Sequence, residues 1–538
     1  MKINTEQGRA IRPAKQELER GVRELKGQLE SWRDRLSDDH GCFEEIETEV
    51  NLKMREIADY VSAGLLSECA EDPSAAQVDE ARQRAQEAGN ALKAPTRNYP
   101  VKVILLCGLV LRLHVMFCPS DKRKCDQRGH GIEERSIGES DGANSGVHIE
   151  LSQFGFGKGC SPGLQSEVAR LVCLCPSMEQ ARKELARRGI DLNIKQVRRI
   201  AEQLGVGMLC VRKKLITQWK AGELPVGMEL AGKRVAVAVD GGRVRFRVNT
   251  KKTRKGKRTC FETVWREPKV LIIYTLDEKG RKQAGSDYWI EGTFQGPDHV
   301  MELMAMHLYR LGAMYAHSVE FVSDGAPWIW NRLDWVGEKA GIDPSKVLKA
   351  LDFWHASHHI SLALEKLGLG AKERAPIYRE LRKELRLGRW RAVIEGLEQR
   401  ATELGVDADH EVYKETDFLR RHGEYGHLQY LKYKRRRVTL GSGAIESSIR
   451  RVINLRLKGN GIFWKEANAE AVMTMRAKLL SDQWEENVGL VREQWKVTRG
   501  GSYRWRAVNI REELKRDYFE EDDLSKKPEI SGVSDSIP

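Results

Sequence analysis

Residues 234–242 read RVAVAVDGG, a run of small and β-branched apolar residues closed by an acid and two glycines. A short apolar run without alternation is the pattern of a strand buried on both faces of a sheet. Lys269–Leu276 (KVLIIYTL) has the same character. Downstream the period changes repeatedly: a helix-like stretch at His299–Leu311, a strand at Val319–Ser323, a helix near Trp328–Lys339 and a strand at Val347–Leu351. Strands interleaved with helices predict an α/β sheet covered by helices. Asp240 ends the first strand, and Asp324 ends the later one in FVSDGAPWIW, each followed by glycine. Ligands gather at the strand ends of such sheets. An acid closing an apolar strand is costly unless it is paired or binds a metal, and the glycine after it is expected to let a substrate backbone approach closely.

A third carboxylate, Glu446, lies in GSGAIESSIRR, one turn into a helix expected over Gly443–Leu457. Asp240, Asp324 and Glu446 together suit two hard divalent cations, Mg²⁺ first with Mn²⁺ as a substitute, because such ions take oxygen ligands and leave positions for water or phosphate. A pair of metals can activate a nucleophile and stabilise the leaving oxygen of an in-line phosphoryl transfer. The surroundings are basic. Arg243–Arg258 holds nine Lys/Arg and no acid, Arg254 and Lys257 among them, and Lys432–Arg437 (KYKRRR) adds Arg435 and Arg436 just before the Glu446 helix. Arg450 is placed to pair with Glu446 at i,i+4 without metal, and Arg450 and Arg451 are candidate phosphate holders. No GxxxxGK[ST] loop occurs, which argues against an ATP-driven activity.

Upstream, Ser177 with Gln180 and then Asn193 mark two helix starts. The second of these helices turns Val197, Ile200, Ala201 and Leu204 to one face and Lys195, Gln196, Arg198 and Arg199 to the other. That is the layout of a helix-turn-helix, with its second helix offered to DNA bases and phosphates. In the first 95 residues Leu18, Val22, Leu25, Leu29, Trp32 and Leu36 form an a/d seam, and a second helix follows Cys42. This predicts a helical hairpin, with a dimerising coiled coil as the alternative. His114, Cys118, Cys125 and His130 invite a zinc reading, but the gap between the cysteines is wider than a zinc knuckle uses, and reduced thiols are expected. Residues 360–430 read as charged helix. There Arg386, Arg389 and Arg391 around Trp390 suggest a DNA clamp, with a structural spacer as the alternative.

The chain has 538 residues, 41% hydrophobic and 31% charged, which excludes collagen and wholly disordered classes. Its formal charge of +13 favours a polyanion partner. The ten cysteines form no framework, and no signal peptide or membrane span is read, so a reduced cytoplasmic setting is expected. The divisions expected are an N-terminal helical hairpin or coiled coil over 1–95 and a β-rich linker region over 96–160. A helix-turn-helix DNA-binding domain follows over 161–225, then the first part of the catalytic core over 226–355. An all-α insertion takes 356–436, the closing helix of the core 437–480, and a C-terminal tail 481–538.

These motifs resemble a family. The DGG and DGAPWIW strand ends, the DFWH segment at Asp352–His355 and the closing GSGAIESSIRRVINLRLKGNGIFW are similar to bacterial insertion-sequence DDE transposases of the ISKra-type group, related to the Mutator-like superfamily. Asp352-x-x-His355 resembles that superfamily's acid-or-Cys, two residues, His signature, and 356–436 its all-α insertion. The resemblance spans residues 160–480. It implies an RNase H-like catalytic core within a multi-domain α/β chain, and maps Asp240, Asp324 and Glu446 onto the triad with His355 beside them. It further implies binding to the terminal inverted repeats of double-stranded DNA, cleavage at those ends, and strand transfer into target DNA. The protein would act as a homodimer or higher oligomer in the bacterial nucleoid, away from membranes. The alternatives are an RNase H-fold nuclease without strand transfer and a domesticated DNA-binding protein; loss of a triad acid would have favoured the latter, and none is lost.

Overall fold

The computed structural model describes residues 2–87, 92–119, 146–249, 261–459 and 461–498. Arg254, Lys257, Cys125, His130 and the polar C-terminal stretch lie outside the described residues.

The chain opens with β1 (Lys2–Thr5), followed by α1 (Ala14–Asp38), α2 (Phe43–Cys69) and α3 (Ala75–Glu87). Helices α1 and α2 form a hairpin, but not on the expected seam. Leu18, Val22 and Leu29 are exposed, whereas Ala14, Glu17, Gly21 and Trp32 are buried. The reason is close approach: a Cβ at Gly21 would lie 2.5 Å from Ile57 Cγ1, so the helices meet along small residues. Buried Glu17 is neutralised by Arg9 and Arg20 at 2.5 and 3.1 Å. Strands β2 (Thr96–Ile104), β3 (Val110–Pro119) and β4 (Gly146–His148) precede α4 (Ile149–Gln153). Because β1 pairs antiparallel with β3, the helical region and the β-rich region share one sheet and one core, in which Ile3, Ala63 and Leu66 meet Leu111 and Leu113.

Three helices follow: α5 (Pro162–Leu174), α6 (Met178–Arg187) and α7 (Ile194–Lys220). Asn193 and Gln196 close a capping box that starts α7, and no proline interrupts its seven turns.

The central sheet is built from β5 (Arg234–Gly241), β8 (Lys269–Leu276), β9 (Tyr288–Thr293), β10 (Ser318–Ser323) and β11 (Val347–Leu351); β6 (Val244–Asn249) and β7 (Phe261–Arg266) form a separate two-stranded ribbon between β5 and β8. The order is β11-β10-β5-β8-β9, with β10 and β11 parallel to β5, and β8 and β9 completing an antiparallel meander. Helices α8 (Pro297–Arg310), α9 (Pro327–Trp330) and α10 (Leu333–Lys339) lie between β9 and β11 in the chain. The architecture is mixed α/β. Strand alternation divides the sheet's side chains: Val235, Val237, Val239, Leu271 and Phe321 pack with α8 and α10, whereas Ala236, Ala238, Val270 and Ile272 face the other layer.

From α11 (Phe353–Lys366) the chain is helical through α12 (Ala371–Arg386), α13 (Trp390–Glu403), α14 (Val412–Glu424) and α15 (Tyr430–Arg435). This unit's core runs into the sheet through Val322, Ala350 and Leu351. The next helix, α16 (Gly443–Ile449), is shorter than expected and continues as a π-helical segment over Arg450–Asn454. Two further helices, α17 (Glu466–Leu480) and α18 (Trp484–Thr498), complete the described chain. The stretch expected to be a tail from 481 thus begins with a helix, anchored by buried Trp484, Val488 and Val491.

Helices α5–α7, α16–α18 and one face of the sheet share a single apolar core. Inside it Arg212 of α7 meets Glu470 of α17 at 2.5 Å and Glu291 of β9 at 3.4 Å, while Lys478 meets Glu291 at 3.0 Å. Removing one member would strand a buried charge, so this network locks α7 to the sheet. Among the described residues no helix is long and apolar enough to cross a membrane.

Candidate active site

The parallel pairing of β5 with β10 aligns Ala238 with Val322. Asp240 and Asp324 each stand two residues beyond that pair, at the ends of adjacent parallel strands, and the two-residue period turns Asp240 toward the face that α16 covers. The electrostatics agree with this juxtaposition. Burial, and then the negative charge of Asp324, push the Asp240 carboxyl up to about 6, against the opposing pull of the Gly241 N–H, His355 and Lys269. The Gly241 N–H donates to Asp240 Oδ1 at 2.6 Å, and the Ala326 N–H donates to Asp324 Oδ1 at 3.1 Å.

The glycines after these acids also make room for neighbouring side chains of the protein. Gly325 has a left-handed φ of +54°, and a Cβ there would lie 2.3 Å from Phe418 Cζ of α14. At Gly241 it would meet Glu267 Oε1 at 2.3 Å, and at Gly242 Ile453 Cδ1 at 2.9 Å. In the folded chain the close approach at these glycines is by the protein's own side chains.

Asp352 follows β11 and caps α11. Its Oδ1 accepts from the N–H groups of Trp354 at 2.6 Å and His355 at 2.9 Å, and its Oδ2 accepts from the N–H of Ser442. Burial alone would raise this carboxyl, but the contacts with His355 and Ser442 outweigh it and hold it at about 2. His355 Nδ1 stands 3.5 Å from Asp352 Oδ1, an ion-pair contact longer than an aligned hydrogen bond. That contact raises the imidazole pKa against the effect of burial, and the charges of Asp352, Asp324 and Asp240 add to the rise. His355 is thus a half-buried, readily protonated group within the field of both strand-end acids.

Glu446 lies on the exposed side of α16, whose start is tied to Asp352 through Ser442. Its carboxylate faces the Ser442 hydroxyl at 3.4 Å and makes no ion pair among the described residues. The expected pairing with Arg450 does not form among the described residues, although the Arg450 N–H donates to the Glu446 carbonyl and keeps the two one α-helical turn apart. Glu446 opens into a cleft of about 690 Å³, lined also by Tyr274, Arg281, Lys282, Trp354 and Thr439. Among the described residues no three His, Cys, Asp or Glu side chains converge closely enough to hold an ion. The structure brings Asp240 and Asp324 together with His355 beside them, and leaves Glu446 one step apart.

Of the remaining candidates, Lys195 and Arg198 are exposed on the first turns of α7, and Arg199 is half-buried. Gln196 spends its side-chain oxygen on the Asn193 N–H at 3.0 Å, so it caps the helix. Arg435 and Arg436 are exposed at the end of α15. Arg450 is exposed, and Arg451 reaches Tyr288 Oη at 3.5 Å and the Ser447 carbonyl at 3.3 Å. Two participants escape a reading of the sequence. Lys269, 5% exposed and opposite Gly241 in β8, pairs with Glu267 at 2.5 Å and adds a small lowering influence on Asp240, and Ser442 ties the Glu446 helix to Asp352. Lys269 reads as the first residue of an apolar strand; only its cross-strand partner reveals its place.

No protein-family model matches the chain, and no curated protein does. Among solved structures, the Drosophila P element transposase strand transfer complex is similar to it at 12% identity and a TM-score of 0.21, over 66% of this chain and 86% of that one. A score at that level establishes no common fold, and the function proposed for the chain rests on the site's own geometry.

Proposed function

We propose that the protein is a DNA transposase with an RNase H-like core that cleaves DNA at element ends and joins the freed 3′-hydroxyls to target DNA. The observation that carries this reading is the placement of Asp240 and Asp324 at adjacent parallel strand ends, where burial and mutual repulsion raise Asp240 to about 6. The sheet order, the helical insertion before α16 and the basic residues around the cleft support it.

The chemistry of the donors suits a divalent cation, with Asp240 and Asp324 coupled and Glu446 needing to close in on them. Two carboxylates share a partly buried place with surplus negative charge, and Asp240 and Asp324 would hold Mg²⁺ or Mn²⁺, with Glu446 as the third ligand of a two-ion site. When bound, such ions make a nucleophile of water or a 3′-hydroxyl and stabilise the leaving oxygen. The chain's own groups do the rest. Asp352 fixes α11 against the start of α16, the helix that carries Glu446. Protonated His355 offers positive charge toward an incoming phosphate. Arg435, Arg436, Arg450 and Arg451 bind backbone phosphates, and α7 presents Lys195, Arg198 and Arg199 to the element end. A homodimer or higher oligomer would process two ends together.

Asp240→Asn, Asp324→Asn and Glu446→Gln keep shape and remove charge. Each is expected to abolish Mg²⁺-dependent cleavage of a labelled element end while end binding in a gel-shift assay persists. A variant that still cuts at a tenth of the parent rate or faster does not carry a ligand residue at that position.

A further inference from the structure

The ribbon β6–β7 leaves the sheet directly after Asp240, separated from it only by residues 241–243. Val244 and Phe246 are buried at 0% and 2%, so alternation turns Arg245 and Arg247 to the opposite, outer face. Antiparallel pairing sets Arg245 against Trp265 and Arg247 against Thr263. The segment carrying Phe463 and Trp464 runs along the other edge of β6, since Arg247 N–H donates to the Trp464 carbonyl at 2.8 Å and Trp464 N–H to the Arg245 carbonyl at 3.2 Å.

The result is a platform of interleaved rings and guanidiniums. Arg247 lies over Phe261 at 4.0 Å, Arg245 lies over Phe463 at 5.1 Å and Trp265 at 5.8 Å, and Phe261 meets Phe463 edge-on at 5.8 Å. All three rings stay open to solvent: Trp265 is 54% exposed, Phe261 42% and Phe463 38%. Glu262, the ribbon's carboxylate among the described residues, projects from the other face by the same alternation.

We infer that this outer face, Arg245, Arg247, Phe261, Trp265 and Phe463, is a binding surface for single-stranded DNA, and that it receives the unpaired part of the strand being processed. The inference rests on the transposase reading, and names the form of substrate the core takes next to Asp240. The chemistry selects the occupant. Exposed rings bind the flat faces of bases, which only an unpaired strand presents, while duplex DNA offers phosphates and base edges that rings do not use. Arginines between the rings supply the phosphate contacts: among the described residues neither pairs with an acid, and stacking orients both, with Arg245 also donating to the Gly459 carbonyl. Phe261 and Trp265 are four residues apart on one strand, about 13 Å at the usual rise, a span that covers roughly four nucleotides of a stacked strand. A strand seated there leads along β6 to the end of β5, where Asp240 stands.

The test uses the full-length protein and fluorescence anisotropy with labelled oligothymidine and with a blunt duplex element end. Phe261→Ala combined with Trp265→Ala is expected to weaken oligothymidine binding by about tenfold or more, with duplex affinity held within about twofold because α7 and its phosphate contacts are untouched. Trp265→Phe, which keeps a ring, should retain binding within about threefold of the parent. Unchanged oligothymidine affinity in the double variant, an equal loss on duplex, or Trp265→Phe falling as far as Trp265→Ala would each overturn the proposal. Asp240→Asn is measured alongside. Cleavage that survives in it sinks the transposase reading whatever the ribbon does, whereas loss of cleavage there with unchanged oligothymidine binding in the ribbon variant sinks the ribbon alone.

Discussion

Asp240 illustrates how a functional residue opposes the fold that carries it. Its carboxyl titrates at about 6 in the folded chain, against an ordinary value near 4 when unfolded. A pKa raised by folding means that the folded state prefers the protonated form. The stability this contributes is complete below pH ~4 and is lost as pH rises through about 6. At pH 8, without metal, the ionised carboxylate therefore costs about 2–3 kcal/mol, and Asp240→Asn should recover most of it while destroying activity. Urea denaturation of the metal-free protein at pH 8 and pH 4 checks this; equal stability of parent and variant at pH 8 would contradict it. Asp352 behaves in the opposite sense. Its carboxyl is held at about 2, so its contribution is present above pH ~4 and disappears as pH falls toward 2. Asp352→Ala removes the α11 cap and the tie to Ser442, and should cost roughly 1–3 kcal/mol at neutral pH and much less near pH 2. Thermal melts at the two pH values separate these outcomes.

At the scale of elements, α7 is both a candidate recognition helix and a structural strut. Its first turns expose Lys195 and Arg198, while its later turns hold Arg212 inside the ion network with Glu291 and Glu470. Replacing Lys195, Arg198 and Arg199 together by alanine should weaken binding to element ends and flatten the salt dependence by about one unit for each phosphate no longer neutralised. Affinity and slope that match the parent would move the recognition surface elsewhere. The start of this helix is marked in the sequence, because the Asn193–Gln196 capping box is a local signal. The same stretch points to Gln196 as a DNA contact, yet that local chemistry engages the side chain in the cap. Helix α16 shows the converse. One helix is expected over residues 443–457, whereas the chain turns π-helical over Arg450–Asn454, where Val452 and Ile453 pack into the core.

For the molecule as a whole, the helical insertion is less separable than its length suggests. Its core includes Val322 of β10 and Ala350 and Leu351 of β11, and Phe418 fills the space above Gly325 beside Asp324. The arginines considered for a DNA clamp are exposed and also meet neighbours within it: Arg386 lies over Phe353 at 5.1 Å, Arg389 pairs with Glu384 at 3.1 Å and Arg391 lies over Trp390 at 4.3 Å. Excising residues 360–428 and bridging the gap with a flexible linker should uncover that edge of the sheet. Each large apolar side chain left bare forfeits about 1.5–3 kcal/mol. We expect the truncated protein to lose its cooperative melt and to bind a hydrophobic dye. A melt within a few degrees of the parent would show that the insertion is an independent module.

The strands of the central sheet are legible in the sequence because each is an apolar run whose identity is local: 269–276 and 347–351 match to the residue, and 234–240 and 319–323 to within one. So are Asp240 and Asp324, because an acid after such a run stands out against its neighbours. Strand β9, the β6–β7 ribbon and helices α17 and α18 escape such a reading, since their mixed patterns acquire meaning only against the surfaces they meet. Which strands are neighbours is likewise absent from any window of sequence. The pairing of β5 with β10 brings Asp240 and Asp324 to adjacent strand ends, and the contact of Asp352 with Ser442 ties in the Glu446 helix. The residue types and their strand ends are properties of the chain alone. Their convergence, the charge repulsion that shifts Asp240 and the position of Lys269 opposite Gly241 arise only when segments far apart in sequence are packed against one another in a low-dielectric interior.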